Sequence, residues 1–309
     1  VKNHDIERPI TPIDALAWEL SQIAQTDGQH PSGLPGLSVY RSSVKSEPIA
    51  CLYGLGLAIT AQGSKQITYG DQVITYGAGQ SLLATVDVPV VAQITQASLA
   101  TPYLGMLLTL DARALMQLAG ELDLPPLSRT QAPRAISLSA QEAPLIDAMT
   151  RLVRLVHEPL LAGHIAPLIQ HEIMVRLLTG PHAPCLRQLL AAGSNSHQVA
   201  RAAAWLKQHF RTEVLMDELA ATVHMSPSTF RQHFRSLTGM SPVQYQKQLR
   251  LQEARQLMLN QALDAHSTAA RVGYESASQF SRDYSRLFGA PPQRDIKRMR
   301  DQAEANVQT

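Results

Sequence analysis

The 309-residue chain is short of cysteine, of aromatic side chains and of long apolar runs, and each shortage excludes something. Two cysteines, Cys51 and Cys185, cannot form a disulfide framework and fit a reducing interior better than a secreted scaffold. No apolar run approaches the roughly 18 residues of a membrane span. The N-terminal stretch VKNHDIERPI has none of the apolar character of a secretory signal. A cytoplasmic location and no membrane partner are the expectation. No histidine falls between His30 and His157, so that stretch offers no imidazole to a metal. What remains is an ordinary globular composition, 45% hydrophobic and 17% charged, long enough for two domains.

The near-neutral total hides an asymmetry. Residues 1–194 carry 12 Lys and Arg against 15 Asp and Glu, whereas residues 195–309 carry 15 against 10. The basic excess suits a polyanionic partner, although it is mild. Texture divides the chain at about the same place. A short amphipathic helix is expected in PIDALAWELSQIAQ. From Leu37 to Leu110 come short apolar runs (LSVYRS, IACLYGLGLAI, KQITYG, QVITYG, QSLLATV, VVAQITQ, YLGMLLTL) punctuated by Gly, Pro and Asp. Such spacing predicts a β-barrel or a double-sheet jelly roll, with a turn at Gly70-Asp71.

Helical periodicity then takes over in DARALMQLAGEL, and PRAISLSAQEAP reads as a bridge. Two further helices follow, EAPLIDAMTRLVRLVHE, with Leu145, Met149, Leu152, Val153 and Val156 on one stripe, and APLIQHEIMVRLLTG. The plainer reading of both stripes is intradomain core; the alternative is a seam between two copies. His157, His164 and His171 recur every seven residues, but Pro159 and Gly163 are expected to interrupt the helix there. The reading is surface or capping histidines and no metal site.

The most informative feature is a phrase written twice. SPSTFRQHFRSLTGMSP (226–242) returns fifty residues later as SASQFSRDYSRLFGAPP (276–292). Ser226 suits an N-cap and Pro227 the first helical position. Phe230, Phe234 and Leu237 then face inward together, as do Phe280, Tyr284 and Leu287. The opposite face carries Ser228, Thr229, Arg231, Gln232 and Arg235 in the first copy and Ser278, Gln279, Ser281, Arg282 and Ser285 in the second. Arg pairs with guanine, Gln with adenine, and Ser or Thr with either, so these side chains suit base edges at the start of a helix lying in the major groove. One copy could be a solvated amphipathic face. Two copies joined by VQYQKQLRLQEARQLMLN, about 27 Å long as a helix, could read neighbouring grooves roughly 34 Å apart.

The region from His197 to Arg300 resembles the DNA-binding domain of AraC/XylS-type transcription regulators. The resemblance rests on LAATVHMSPSTFRQHFRSLTGMSPVQYQKQLRLQEARQLM and AARVGYESASQFSRDYSRLFGAPPQ, including Gly273-Tyr274-Glu275-Ser276, Phe280, Phe288-Gly289 and Pro292. It implies base contacts from Ser228, Thr229, Arg231 and Gln232, with Arg235 nearer the backbone, and from Ser278, Gln279 and Arg282. Ala277 holds another contacting position but offers only a methyl group, and Arg271 and Arg282 are basic but need not both touch DNA. The segment EPIACLYGLGLAITAQGSKQITYGDQVITYGAGQSLLATVDVPV is similar to the cupin-like sensor of part of this family.

The implied organisation is α+β. An N-terminal arm (1–30) precedes a cupin-like β-barrel with a helical dimerisation segment (31–194). An all-α domain with two helix-turn-helix units (195–300) and a tail (301–309) follow. The implied partners are double-stranded DNA, a small-molecule effector, a second copy in a homodimer and, for an activator, RNA polymerase; activation and repression stay open. Arg41, Tyr53, Tyr69 and Tyr76 are the candidates to line or rim an effector pocket. No cofactor and no catalytic residue is expected. The alternatives are a metal-free cupin-type enzyme, a thiol-based redox sensor using Cys51, or a DNA-repair methyl acceptor on the same DNA-binding domain. None has a supporting cluster of reactive side chains.

Overall fold

A computed structural model describes residues 11–124, 134–140, 142–191 and 193–307, with side chains to residue 301. The chain opens with α1 (Pro12–Ile23), started by a capping box in which Thr11 and Asp14 satisfy each other's backbone N–H groups. Strands β1 (Gly28–Pro31), β2 (Leu37–Ser42), β3 (Ile49–Tyr53), β4 (Gly56–Gln62), β5 (Ser64–Tyr69), β6 (Gln72–Gly77), β7 (Gln80–Ala84), β8 (Val88–Gln96) and β9 (Tyr103–Thr109) follow. Next come α2 (Ala112–Glu121), β10 (Ile136–Ala140), α3 (Ala143–Arg154), a 3-10 turn (Leu155–His157), α4 (Pro159–Thr179) and α5 (Ala183–Leu190). The rest is helical: α6 (Asn195–His209), α7 (Met216–Thr222), α8 (Pro227–Thr238), α9 (Pro242–Asn260), α10 (Ala265–Arg271), α11 (Ala277–Phe288) and α12 (Pro292–Val307).

The strands form two antiparallel sheets, β1-β2-β9-β4-β7-β10 and β3-β8-β5-β6. The expected barrel is therefore a sandwich of two sheets without closure. Chain direction explains this. β4 ends in the first sheet at Gln62 and β5 begins in the second at Ser64, with a register break on each side. Gly63, at φ +78°, makes the corner between them. A strand that switches sheets at a bulge turns the layer rather than curling it shut.

Two other expectations change. PRAISLSAQEAP contains a strand: β10 pairs with β7, with Leu138 opposite Leu82. Its alternation of Ile136 and Leu138 with Ser137 and Ser139 was the available signal. α4 also runs unbroken through Gly163, starting at Pro159. Proline in the first turn costs nothing, and a helical glycine costs about 1 kcal/mol relative to alanine. Burial of Ala166, Ile169, Ile173, Leu177 and Leu178 on the same helix outweighs that.

One core lies between the first sheet, α1, α3 and α4. Leu16, Leu20, Met149, Leu152 and Val153 are all fully buried there, so the α3 stripe packs within its own chain. His182, at the start of α5, is also fully buried. Its Nε2 lies 2.7 Å from Ser81 Oγ on β7, and its Nδ1 lies 2.9 Å from Ser137 Oγ on β10. Burial lowers its pKa from 6.5 to about 4. Folding thus favours the neutral ring, so this stabilisation is complete above pH 6.5 and is lost as the pH falls toward about 4. His182→Gln is expected to flatten the acid side of the stability profile over that window, measured by urea unfolding at stepped pH.

Candidate nucleic-acid interface

Each copy of the repeated phrase is a second helix after a tight turn. In the first, Ser226 Oγ accepts the Thr229 N–H, Pro227 opens α8, and Gly239 at φ +75° closes it. In the second, Ser276 Oγ accepts the Gln279 N–H and Gly289 at φ +75° closes α11. Phe230, Phe234, Phe280 and Tyr284 are fully buried. The two units are not identical. Met225 N–H bonds Ala220 O in the first turn and Tyr274 N–H bonds Ala269 O in the second, an offset of 49 against the 50 of the reading helices. The second turn therefore holds one extra residue.

Ser228, Arg231, Gln232 and Arg235 are exposed on α8, and Ser278, Gln279 and Arg282 on α11. Thr229 is half-buried, and its hydroxyl accepts from Ser226. Arg231 is engaged by Asp217 of α7, and Arg235 lies 3.9 Å from Asp71 on the β5–β6 turn. Among the described residues no ion pair involves Arg282. The first reading helix thus holds its cations against carboxylates of this chain, while the second presents a free one. Spacer helix α9 serves both units. Tyr245 and Leu249 belong to the core under α8; Leu251, Ala254, Leu257 and Met258 belong to the core under α11.

The core under α8 also contains the second sheet. Ile67, Tyr69, Val88 and Val90 share one cluster with Phe230, Phe234, Leu237 and Tyr245. Polar contacts fasten this junction. Tyr245 donates its hydroxyl to Asp87 O at 2.8 Å, and Lys207 pairs with the Asp87 carboxylate at 2.8 Å. Gln252 donates to Cys51 O at 3.0 Å, and Ala135 N–H to Leu237 O at 3.0 Å. Sequence periodicity shows that a face is apolar but not which element covers it, so this docking was not legible. A Cβ on Gly70, in the β5–β6 turn, would overlap the Gly239 backbone.

Of the four effector candidates, the sheets bring two together. Tyr53 and Tyr76 are close enough for their phenols to influence each other, and burial, the largest cause, pushes both well above their usual range. Tyr69 packs in the junction with α8, and Arg41 bonds Ala24 O and Asp27 beside α1. The residues that do gather near Tyr53 are Tyr40, Tyr103 and Lys65. Lys65 Nζ lies 5.6 Å from the Tyr53 ring and 6.0 Å from the Tyr40 ring, and Tyr103 O–H lies 3.4 Å from Thr60 Oγ1. Period-two alternation along β5, which puts Lys65 on the face of Ile67 and Tyr69, could have found Lys65.

Burial raises the thiol pKa of Cys51, with Lys65 opposing, and likewise raises that of Cys185. A reactive sensor thiol needs the opposite shift. His157, His164 and His171 are exposed. Among the described residues no group of three metal-capable side chains occurs, and no helix is long and apolar enough to cross a membrane.

A β-sandwich docked on paired helix-turn-helix units defines a two-domain DNA-binding architecture. A family profile described as "AraC-type transcriptional regulator N-terminus" matches residues 33–185, and one described as "Helix-turn-helix domain" matches residues 219–298. The chain belongs to the AraC family of transcription regulators. It is 32% identical over 142 residues to the HTH-type transcriptional regulator ExsA of Pseudomonas aeruginosa, covering 45% of this chain and 49% of that protein. It is 35% identical over 98 residues to the HTH-type transcriptional activator RhaS of Escherichia coli, covering 32% of this chain and 35% of RhaS. The match thus spans half or less of these curated relatives. Among solved structures, apo ToxT from Vibrio cholerae superposes with a TM-score of 0.55 at 10% identity, over 88% of this chain and 98% of ToxT. ToxT with a bound unsaturated fatty acid gives 0.55 at 11% identity, over 84% and 94%. At that identity the likeness is one of fold.

Proposed function

We propose that this chain is a sequence-specific DNA-binding transcription regulator of the cytoplasm, with a sensor over residues 31–194 and a reading domain over 195–300. The observation that carries the reading is the exposure of Arg231 and Gln232 on α8 and of Gln279 and Arg282 on α11, at two ends of one spacer helix. At about 1.5 Å per residue the 19 residues of α9 span close to 28 Å, near the separation of successive major grooves. Within the stretch 1–30 expected as an arm, α1 and β1 pack with the sensor sheets, and α12 extends beyond residue 300 into the expected tail (301–309). The family is one of transcription regulators, and no catalytic role is proposed.

The sensor reading adds a small-molecule effector held between the sheets at Tyr53 and Tyr76; ToxT, of like fold, holds an unsaturated fatty acid. The effector acts by favouring one arrangement of the protein over another. A homodimer is proposed through α4, where Leu160 and Leu168 are 90% and 70% exposed.

Selection of bound duplexes from random sequence tests the function. Because the second sheet completes the core under α8, the full chain is the right probe. Two unequal boxes about one helical turn apart, bound less tightly as salt rises, are expected; indifference to sequence would overturn the reading. On the selected site, Arg282→Ala is expected to cost about 1–3 kcal/mol and to relax selectivity at one base position. An equal loss on all sequences would assign Arg282 to phosphate.

A further inference from the structure

The two reading units meet away from their DNA faces, at one side chain. Arg250, in the middle of α9, sends its guanidinium in three directions. Nε donates to Phe210 O at 2.6 Å and one Nη to Thr212 O at 2.8 Å, both in the loop that leads into the first unit. The other Nη donates to Gly273 O at 2.8 Å, in the turn of the second unit. Gln246, one helical turn earlier, doubles the bonds to Phe210 O and Thr212 O at 3.1 and 2.9 Å. Three backbone carbonyls from two units thus converge on one rigid, planar fork, which an ammonium group could not match.

Gly273 supplies an independent sign of the same junction. Its φ is +88°, and the equivalent position of the first unit is His224 at φ +55°. The left-handed turn therefore tolerates a side chain in this protein. What excludes one at Gly273 is the neighbouring loop: an added Cβ would overlap Arg211 O and come within 3.2 Å of the Arg250 guanidinium carbon. The second unit is seated directly on the entry loop of the first.

We infer that Arg250 is a positioning residue that locks the angle between the two reading helices, so that the protein accepts only one spacing between its two DNA boxes. The inference rests on the DNA-binding reading above and adds to it the origin of spacing selectivity. Arg250 makes three bonds to backbone rather than to a ligand, so its effect on DNA runs through geometry alone. A duplex whose boxes are moved by two or three base pairs rotates one groove away from its reading helix. A stiff protein then loses one set of base contacts, while a hinged one follows the groove.

The test uses the full chain, the duplex it selects from random sequence, and versions of that duplex with two or three base pairs inserted or deleted between the boxes. Wild type is expected to lose about tenfold or more in affinity for each altered duplex, a loss comparable with one mismatched contact. Arg250→Met and Arg250→Lys are expected to reduce that penalty to about threefold or less. Affinity for a duplex carrying the first box alone should stay unchanged. Gly273→Ala, which wedges the same junction from the other side with Arg250 intact, should give the same relaxed profile. The inference is overturned if all three variants keep the wild-type spacing penalty. It is equally overturned if single-box affinity falls along with the spacing preference, which would make Arg250 a residue of the fold only. If wild type selects no site at all, the DNA-binding reading fails instead.

Discussion

Replacing Asp295 with alanine is expected to cost about 3–5 kcal/mol, because it strands a buried guanidinium. Asp295 is fully buried at the start of α12 and Arg255 of α9 is 7% exposed. The pair is bidentate, with Arg255 Nε and one Nη donating to the carboxylate at 2.9 and 3.0 Å. Tyr284 donates its hydroxyl to the same carboxylate at 2.9 Å, and Arg298 adds a third partner at 3.0 Å. Burial first, and the Asp295 charge second, push the Tyr284 phenol well up, so it stays a donor across the accessible pH range. Deleting the carboxylate leaves the Arg255 guanidinium, which lies 4.4 Å from the Phe288 ring, without its buried partner. Urea unfolding of Asp295→Ala followed by circular dichroism measures the loss. A change under about 1 kcal/mol would place the pair among interactions that contribute little net stability.

Phe234→Ala is expected to cost about 3–5 kcal/mol as well, the usual range for a large ring removed from a packed core. The ring is fully buried and meets Phe230 and Tyr245 edge-on, at centroid distances of 5.4 and 5.3 Å. The informative part is where the damage spreads. The cluster around Phe234 includes Val88 and Val90 of β8 and Ile67 of β5, whereas the buried residues around Phe280 and Asp295 come from the helical region alone. Hydrogen exchange should therefore show faster exchange in β5 and β8 for Phe234→Ala and unchanged exchange there for Asp295→Ala. Equal protection of those strands in both variants would mean that the sheet and α8 are only neighbours, without energetic coupling.

That contrast bears on how the two halves are joined. β3 carries Tyr53, and in the same strand the Cys51 carbonyl accepts from Gln252 of α9. Asp87, beside the first residue of β8, holds Tyr245 and Lys207. Strand β3 and Asp87 thus contact the spacer helix directly.

Much of this was legible in the residues. The reading helix α8 begins at Pro227 behind its Ser226 cap, as expected, because a capping hydroxyl is a local signal acting on local backbone. The run LSVYRS became β2 with the same limits, and KQITYG and QVITYG became a hairpin with its turn at Gly70-Asp71. Less legible was anything that depends on a partner distant in sequence. β10 looked like a bridge, since five residues pairing with a strand some fifty positions earlier leave only a short alternation to read. Where Arg41 and Tyr69 pack was not legible either, because residue type alone does not say on which side of a strand, or against which neighbour, a side chain ends.

The sequence by itself determined the doubled reading motif, its inward and outward faces and the spacer that joins them, since these follow from helical periodicity and capping within a few residues. The tertiary structure alone decided that the sheets stay an open sandwich, that the second sheet completes the core under the first reading helix, and that Arg250 meets carbonyls from both units. Each of these depends on which apolar face covers which other, and on where unpaired carbonyls are brought together. Burial and hydrogen bonding over long separations settle such choices, and no local pattern encodes them.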